Sequence, residues 1–350
     1  KFSEVVLSVQ YRRKNHKGEN VGRPMYYITD GLGRKWKWLA VVFAVAGAIA
    51  AFGIGCLSQI SSMVTAINTA AVGFVPSAEE HTGTISLIVG IVTAAVLALV
   101  IIGGIKRIAM AAQTLIPVMS IIYLACALIV ILANITSLPS VLASIFRGAF
   151  TPKAVLGGIT GITIKEAMKS GLGRGLFSNE AGQGSAPIAH ASSDTDDPVE
   201  QGMFGMFEVF FDTIVICTIT CLAVLMSGTG IEYITGDKNV LPIDAFATLF
   251  GDKFGSLSVA ISLLLFAFST MITWSLYGVR CFEYLVGTEK LSNIYRLIFV
   301  AVVVYGATVP LGLAYNISDT LNGIMTIPNL AAVLGLSGKV AALAREKFNK

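Results

Sequence analysis

Asn179, Gln183 and Ser185, set among Gly182 and Gly184, place amide and hydroxyl groups where the backbone can turn left-handed, and Phe177 stands ahead of them as an apolar wall. The surrounding run, GLGRGLFSNEAGQGSAPIAH over 171–190, holds five glycines, a proline, Arg174, Asn179, Glu180, Gln183 and two serines. A helix broken here offers free carbonyls at the end of its first half, near Phe177, and free N–H groups at the start of its second, near Gly184 and Ser185. The carbonyls suit a cation or ammonium group and the N–H groups suit an anion. The chemistry implied is the holding of a ligand.

Other polar groups sit in apolar surroundings. Glu208 and Asp212 are an i, i+4 pair of acids, and ionisable groups in membrane helices are rare and usually functional. Their mutual repulsion calls for a proton, a sodium ion or a cationic side chain such as Arg174. Gln59, with Ser58, Ser61 and Ser62, makes a polar patch preceded by Gly53 and Gly55, suited to a central cavity or to an interhelical hydrogen bond. Ser269 and Thr270 present adjacent hydroxyls in an apolar helix, with Thr273 one turn on; they serve an ion or bond back to the preceding turn. Asn322, Pro328 and Asn329 interrupt the last apolar run, as a gate or a proline kink.

Ser185, His190 and Asp194 supply the residue types of a hydrolase triad, but they crowd into ten positions of one segment, with His190 at its end. A nucleotide-binding reading of Gly171, Gly173 and Gly175 fails because no strand precedes them. The five cysteines fall mostly in apolar runs without paired metal-ligand spacing, and buried inert thiols are expected, Cys217 and Cys221 included.

These residues are carried by a chain that is 55% hydrophobic and 13% charged, with mean hydropathy +0.76, which defines an integral membrane protein. Apolar spans of about 20 residues are expected at 38–66, 84–104, 108–135, 209–226, 257–277 and 297–311, with a weaker one at 317–336. The stretch 137–150 is too short to span and is expected at the outer surface. Basic residues cluster at 12–37, at Lys106 and Arg107, at Arg280, Lys290 and Arg296, and at 339–350, whereas 73–83 and 307–315 contain no Lys or Arg. The positive-inside rule puts these four clusters in the cytoplasm, the C-terminus with them. Parity then forces the polar run 171–190 through the bilayer, starting near Leu156 and ending at the turn SSDTDDPVEQG. Irregular backbone survives at that depth only where it is buried in protein or lines a cavity.

The run GLGRGLFSNEAGQGSAPIAHA, followed by GMFGMFEVFFDTIVICT, resembles the alanine or glycine:cation symporters, also called sodium:alanine symporters. GRPMYYITDGLG, FSTMITWSLYG and YNISDTLNGIMTIPNL are similar to other stretches of that family, and the likeness covers essentially the whole chain. Arg23 stands where the family pattern usually has glycine, which reads as a loop detail. The resemblance implies an all-α integral membrane protein with a leucine-transporter-like inverted five-helix repeat. Its first helix and most of its second are expected to be missing, because KFSEVVLSVQYRRK reads as the end of a helix already under way. The remainder of the first repeat then occupies 1–150, the second repeat 151–338 and a cytoplasmic tail 339–350.

The function implied is sodium-coupled symport of a small neutral amino acid, alanine or glycine, across the plasma membrane, with no enzymatic activity and no cofactor besides the co-transported sodium. Substrate residues are then Phe177, Asn179, Gly182, Gln183, Gly184, Ser185 and Gln59; the resemblance assigns sodium to Ser269 and Thr270, and Glu208 and Asp212 are candidates for ion coupling. The partners are the amino acid, sodium and the lipid bilayer, with no nucleic acid and the oligomeric state left open. Proton coupling, or an amino-acid sensor or channel without transport, are the alternatives.

Overall fold

Long runs of Leu, Ile, Val and Ala with few charges can satisfy backbone hydrogen bonds in lipid only within a helix, and helices account for nearly all regular structure here. The structure is a computed structural model that describes residues 1–15, 18–150, 164–229 and 241–349. The expected start of the broken crossing near 156 lies outside the described residues, as do Lys17 and Lys350 of the basic clusters.

Helix α1 (Phe2–Gln10) leads into a hairpin, β1 (Arg13–Lys14) paired antiparallel with β2 (Asn20–Val21). Pro24 opens the short α2 (Pro24–Tyr26), which widens into a π turn at Tyr27–Gly31. Next, α3 (Lys37–Phe52) passes through a π turn at Gly53–Leu57 into α4 (Ser58–Phe74). Helices α5 (Thr82–Ile101), α6 (Ile105–Ala133) and α7 (Leu138–Phe150) follow. The broken segment comprises α8 (Ile164–Asn179) and α9 (Ala186–His190). Beyond it, α10 (Pro198–Val209) runs through a π turn at Phe210–Ile216 into α11 (Cys217–Met226). The chain ends with α12 (Leu241–Val286), α13 (Ser292–Gly306), α14 (Leu311–Gly335) and α15 (Ser337–Phe348).

Among the described residues five helices are long and apolar enough to cross a membrane, or six if α14 and α15, bent by 57°, count as one span. The sequence spans are too short in three places, one of them 209–226, which belongs to a 29-residue helical run from Pro198 to Met226. The 38–66 span is part of a 41-residue helical run from Arg34 to Phe74, and the 257–277 span belongs to α12, where two helices meet at Gly251 (φ 76°). Hydropathy marks only the apolar middle of such helices, whose polar ends continue the same backbone pattern. Helix α13 is apolar but has only 15 residues.

The core forms where α3, α4, α12, α13 and α14 meet, around Phe43, Trp274, Phe299 and Met325. A Cβ added at Gly47 would stand 2.7 Å from the Cys281 sulfur, and one at Gly55 would overlap the Trp274 side chain. Small residues at these points let α3 and α12 approach closely, the usual route to helix packing in lipid. Outward-facing Val41, Val45 and Ile49 of α3, and Leu87, Ile88 and Ile91 of α5, leave an apolar exterior. Cys56 and Cys281 are buried as expected, but Cys217 and Cys221 are exposed, because their face of α11 looks outward.

The basic loops gather on one face of the bundle, where the Lys339 ammonium donates to the Tyr11 hydroxyl (2.8 Å) and Arg12 to the Ser193 carbonyl (2.9 Å). At the other end Ser61 donates to the Val309 carbonyl (2.9 Å). The broken segment runs between the two faces. Phe177 of α8 packs on Tyr315, in the first turns of α14, whereas the Pro187 carbonyl of α9 accepts from Ser8 (2.7 Å), toward the basic end of α1.

Candidate functional site

Between α8 and α9 the backbone turns through three positive φ values: Glu180 at 52°, Gly182 at 82° and Gly184 at 83°. For glycine these cost little; for Glu180 a left-handed conformation costs about 1–2 kcal/mol and needs support. The support comes from both carboxylate oxygens. Ser185 donates to one (2.6 Å) and the Trp274 indole N–H of α12 donates to the other (2.8 Å). Asn179 closes the end of α8, its side-chain oxygen accepting from the Ala181 N–H (3.0 Å) and its amide donating to Thr213 (3.0 Å).

The anion held at the break is the protein's own. Glu4 of α1, 1% exposed, accepts from the N–H groups of Gly182 (3.0 Å) and Gly184 (3.1 Å) and from the side-chain amide of Asn329 (2.9 Å). The same Asn329 amide donates to the Gly182 carbonyl (2.9 Å), and its oxygen accepts from the Tyr27 hydroxyl in a short hydrogen bond. Helices α1 and α14, and the turn after α2, are thereby tied to the broken segment. The Gly184 N–H, one of the groups expected to face a ligand anion, is occupied together with that of Gly182, so these two glycines contribute shape. A Cβ at Gly184 would come within 2.7 Å of the Phe43 ring.

Gln183 is fully buried; its amide donates to the Leu176 carbonyl in a short hydrogen bond, and its side-chain oxygen has no partner. Buried polar atoms are nearly always paired, and this oxygen keeps its acceptor lone pairs. Phe177 packs against Tyr315 with ring centroids 5.8 Å apart and the rings tilted by 52°, and Arg174 lies over both rings while pairing with Asp319. Gln59 bends back to donate to the Ile54 carbonyl (3.0 Å), completing the π turn.

Ser269 and Thr270 both donate to the Phe266 carbonyl (2.9 Å each), the back-bonded arrangement, which leaves lone pairs on both oxygens. Glu208 and Asp212 have different side-chain partners. Glu208 pairs with His190 (2.8 Å) and Lys1 (3.6 Å), and Asp212 accepts from Ser178 (2.6 Å), because the π turn starting at Phe210 gives the two acids different neighbours. Arg174, offered as their counter-charge, is engaged by Asp319 instead. The hydrolase constellation is not assembled: Ser185 faces Glu180, His190 sits between Glu208 and Gln201, and Asp194 is exposed. No metal-binding cluster of His, Cys, Asp or Glu occurs among the described residues.

Sequence reasoning missed Glu4, Glu180, Trp274 and Tyr27 at this site. Glu4 carried a usable signal, a lone acid in the apolar run FSEVVLSVQ. It also missed Arg23, which is 5% exposed and bound to Glu283 (2.8 Å) and is far more than a loop detail.

A bundle of apolar helices around a broken segment, stabilised by buried polar side chains from three other elements, defines a membrane transporter. The chain belongs to the sodium:alanine symporter family, which it matches over residues 1–350. It is 41% identical to the sodium/alanine symporter AgcS of Methanococcus maripaludis over 98% of this chain and 72% of that protein. It is 35% identical to the probable sodium/glutamine symporter GlnT of Bacillus subtilis over 100% of this chain and 69% of that protein. A third relative, the putative sodium/proton-dependent alanine carrier protein YrbD of the same organism, is 33% identical over 100% of this chain and 71% of its own length. The protein is thus a multi-pass membrane transporter for amino acids with cations, and not an enzyme.

Proposed function

We propose that this chain is a sodium-coupled symporter of a small neutral amino acid, alanine or glycine, in the plasma membrane with its basic face cytoplasmic. The observation that carries the reading is the unpartnered oxygen of fully buried Gln183, beside a break whose anion position is already filled by Glu4. Such an acceptor favours the ammonium group of a zwitterion over a second carboxylate. Glu180 supplies negative charge next to it, Phe177 an apolar wall for a short side chain, and Asn179 and Ser185 fix the turn. Gln59 spends one N–H on the Ile54 carbonyl and keeps a second for the substrate carboxylate.

Sodium is a hard cation that takes hydroxyl and carbonyl oxygens; the Ser269 and Thr270 lone pairs fit it. Ion and substrate together would stabilise the occluded arrangement, and coupling follows if that arrangement needs both. The fold that goes with this reading is the inverted five-helix repeat, divided into 1–150 and 151–338 with a tail at 339–350. Similarity to AgcS supports alanine over glutamine, since identity to AgcS exceeds that to GlnT.

The test is uptake of radiolabelled alanine into proteoliposomes under an inward sodium gradient, an inward proton gradient, or neither. Accumulation driven by sodium alone is expected, with glycine competing and glutamine competing poorly. Accumulation driven by protons alone, or equilibration without a gradient, would overturn it.

A further inference from the structure

The basic face holds a second buried polar cluster, separate from the residues proposed above for substrate and sodium. Arg23 donates to the Arg280 carbonyl (2.7 Å) and to Glu283 (2.8 Å); Arg280 donates to that same carboxylate oxygen (3.0 Å), and Ser292 to the other (2.8 Å). All four residues are buried, none more than 7% exposed. Two buried guanidinium groups therefore share one carboxylate whose oxygens are both engaged, which leaves one excess positive charge. Arg23 Nε is buried and has no acceptor. An uncompensated buried charge and an orphaned N–H are both costly, and together they call for an anion.

The cluster faces two cavities, Arg280, Glu283 and Ser292 the larger and Arg23 the smaller. A cavity of about 820 Å³ is lined by Arg280, Lys290, Ser292 and Arg296, and a smaller one of about 230 Å³ by Arg13, Lys14 and Arg23. Glu289 lines both and Glu19 the larger. Arg13 is committed to Asp30 (2.5 Å), and across the two cavities six cations (Arg13, Lys14, Arg23, Arg280, Lys290 and Arg296) face four acids (Asp30, Glu19, Glu283 and Glu289), so cations are in excess.

Depth identifies the source of the anion. Gly47 faces Cys281 and Gly55 faces Trp274, so α3 and α12 run antiparallel, and the start of α3 lies level with the end of α12. Trp36 and Trp38, exposed and stacked with ring centroids 6.2 Å apart, mark that level as the membrane interface. Basic pockets between membrane helices at this depth suit phosphate headgroups.

We propose that the Arg23–Arg280–Glu283 cluster, with Lys290 and Arg296 at its mouth, binds a phosphate-bearing anion, namely the headgroup of an anionic lipid in the leaflet at the basic face. The occupant neutralises the surplus charge and ties the turn before α2 to the end of α12.

The purified full chain, delipidated in neutral detergent, would be titrated with phosphatidylglycerol, phosphatidylcholine or inorganic phosphate, following thermal unfolding and lipid adducts by native mass spectrometry. Phosphatidylglycerol is expected to raise Tm and give a retained adduct, and phosphatidylcholine to do neither. The double variant K290Q/R296Q leaves the Glu283 hydrogen bonds untouched; it should keep the lipid-free Tm while weakening phosphatidylglycerol binding at least about tenfold. R23M should also lose the adduct but lower Tm by itself. Equal responses to the two lipids, or a phosphatidylglycerol response unchanged in K290Q/R296Q, would overturn the site. Full protection by inorganic phosphate alone would overturn the lipid as occupant.

Discussion

Glu4 and Asn329, 325 positions apart, meet through a 2.9 Å hydrogen bond inside the protein, and between them they hold Gly182 and Gly184, the two glycines between α8 and α9. Glu4 takes the N–H groups of Gly182 and Gly184, and Asn329 donates to the carbonyl of Gly182. The contact joins α1 to α14 across the turn between α8 and α9, whose own backbone bonding includes a 3.3 Å hydrogen bond from Gln183 N–H to the Glu180 carbonyl.

Glu4→Gln replaces one acceptor oxygen by an NH2 group that faces N–H donors. One buried donor is left unsatisfied, at a cost of about 1–3 kcal/mol. A lower Tm in detergent and at least a tenfold loss of alanine uptake in proteoliposomes are expected. Unchanged uptake would show that the Glu4 brace is dispensable.

The two glycines should differ in tolerance. Gly184→Ala forces a Cβ to 2.7 Å from the Phe43 ring and 2.9 Å from the Asn329 amide carbon at φ 83°, whereas Gly182→Ala meets only the flexible Leu330 methyl at 3.0 Å. Both pay roughly 1–2 kcal/mol for the left-handed backbone, and only Gly184→Ala adds overlap with rigid neighbours. Tm should fall in the order wild type, Gly182→Ala, Gly184→Ala.

Thr270→Val keeps shape and removes the hydroxyl that donates to Phe266. If its oxygen serves sodium, the sodium concentration for half-maximal uptake rises about tenfold or more, the effect of losing one charged-group contact. The KM for alanine at saturating sodium should stay near wild type. A sodium dependence identical to wild type would leave Thr270 a purely helical residue.

The basic-face contact between α15 and α10 should depend on pH. Asp197 caps α10, accepting from the Val199 (2.9 Å) and Glu200 (3.1 Å) N–H groups, and pairs with Lys347. The Lys347 ammonium, then the Glu200 and Val199 N–H groups, hold its carboxyl below the usual range. A depressed acid contributes above its ordinary value, about 3.9, and that contribution is lost as pH falls through the lowered one. Trypsin cannot report in acid, so pepsin digestion is the measurement: between pH 4 and pH 2, cleavage near Phe348 should rise more steeply in wild type than in Asp197→Asn.

Composition and the placement of lysines and arginines were enough to establish an apolar helical bundle with a polar break inside the run 171–190, because hydropathy and charge act residue by residue. The motif residues Asn179, Gln183 and Ser185 were legible for the same reason, since they are chemically out of place in a membrane helix. What fills the break was not legible. The carboxylate of Glu4, the amide of Asn329 and the indole of Trp274 come from helices far apart in sequence, and only packing of α1, α12 and α14 brings them together. Arg23 shows the same limit: in sequence it is one more basic loop residue, and burial beside Glu283 is what turns its charge into a site. Local chemistry is written along the chain, whereas the partner of a buried polar group is chosen by which helices can approach, a property of the folded bundle alone.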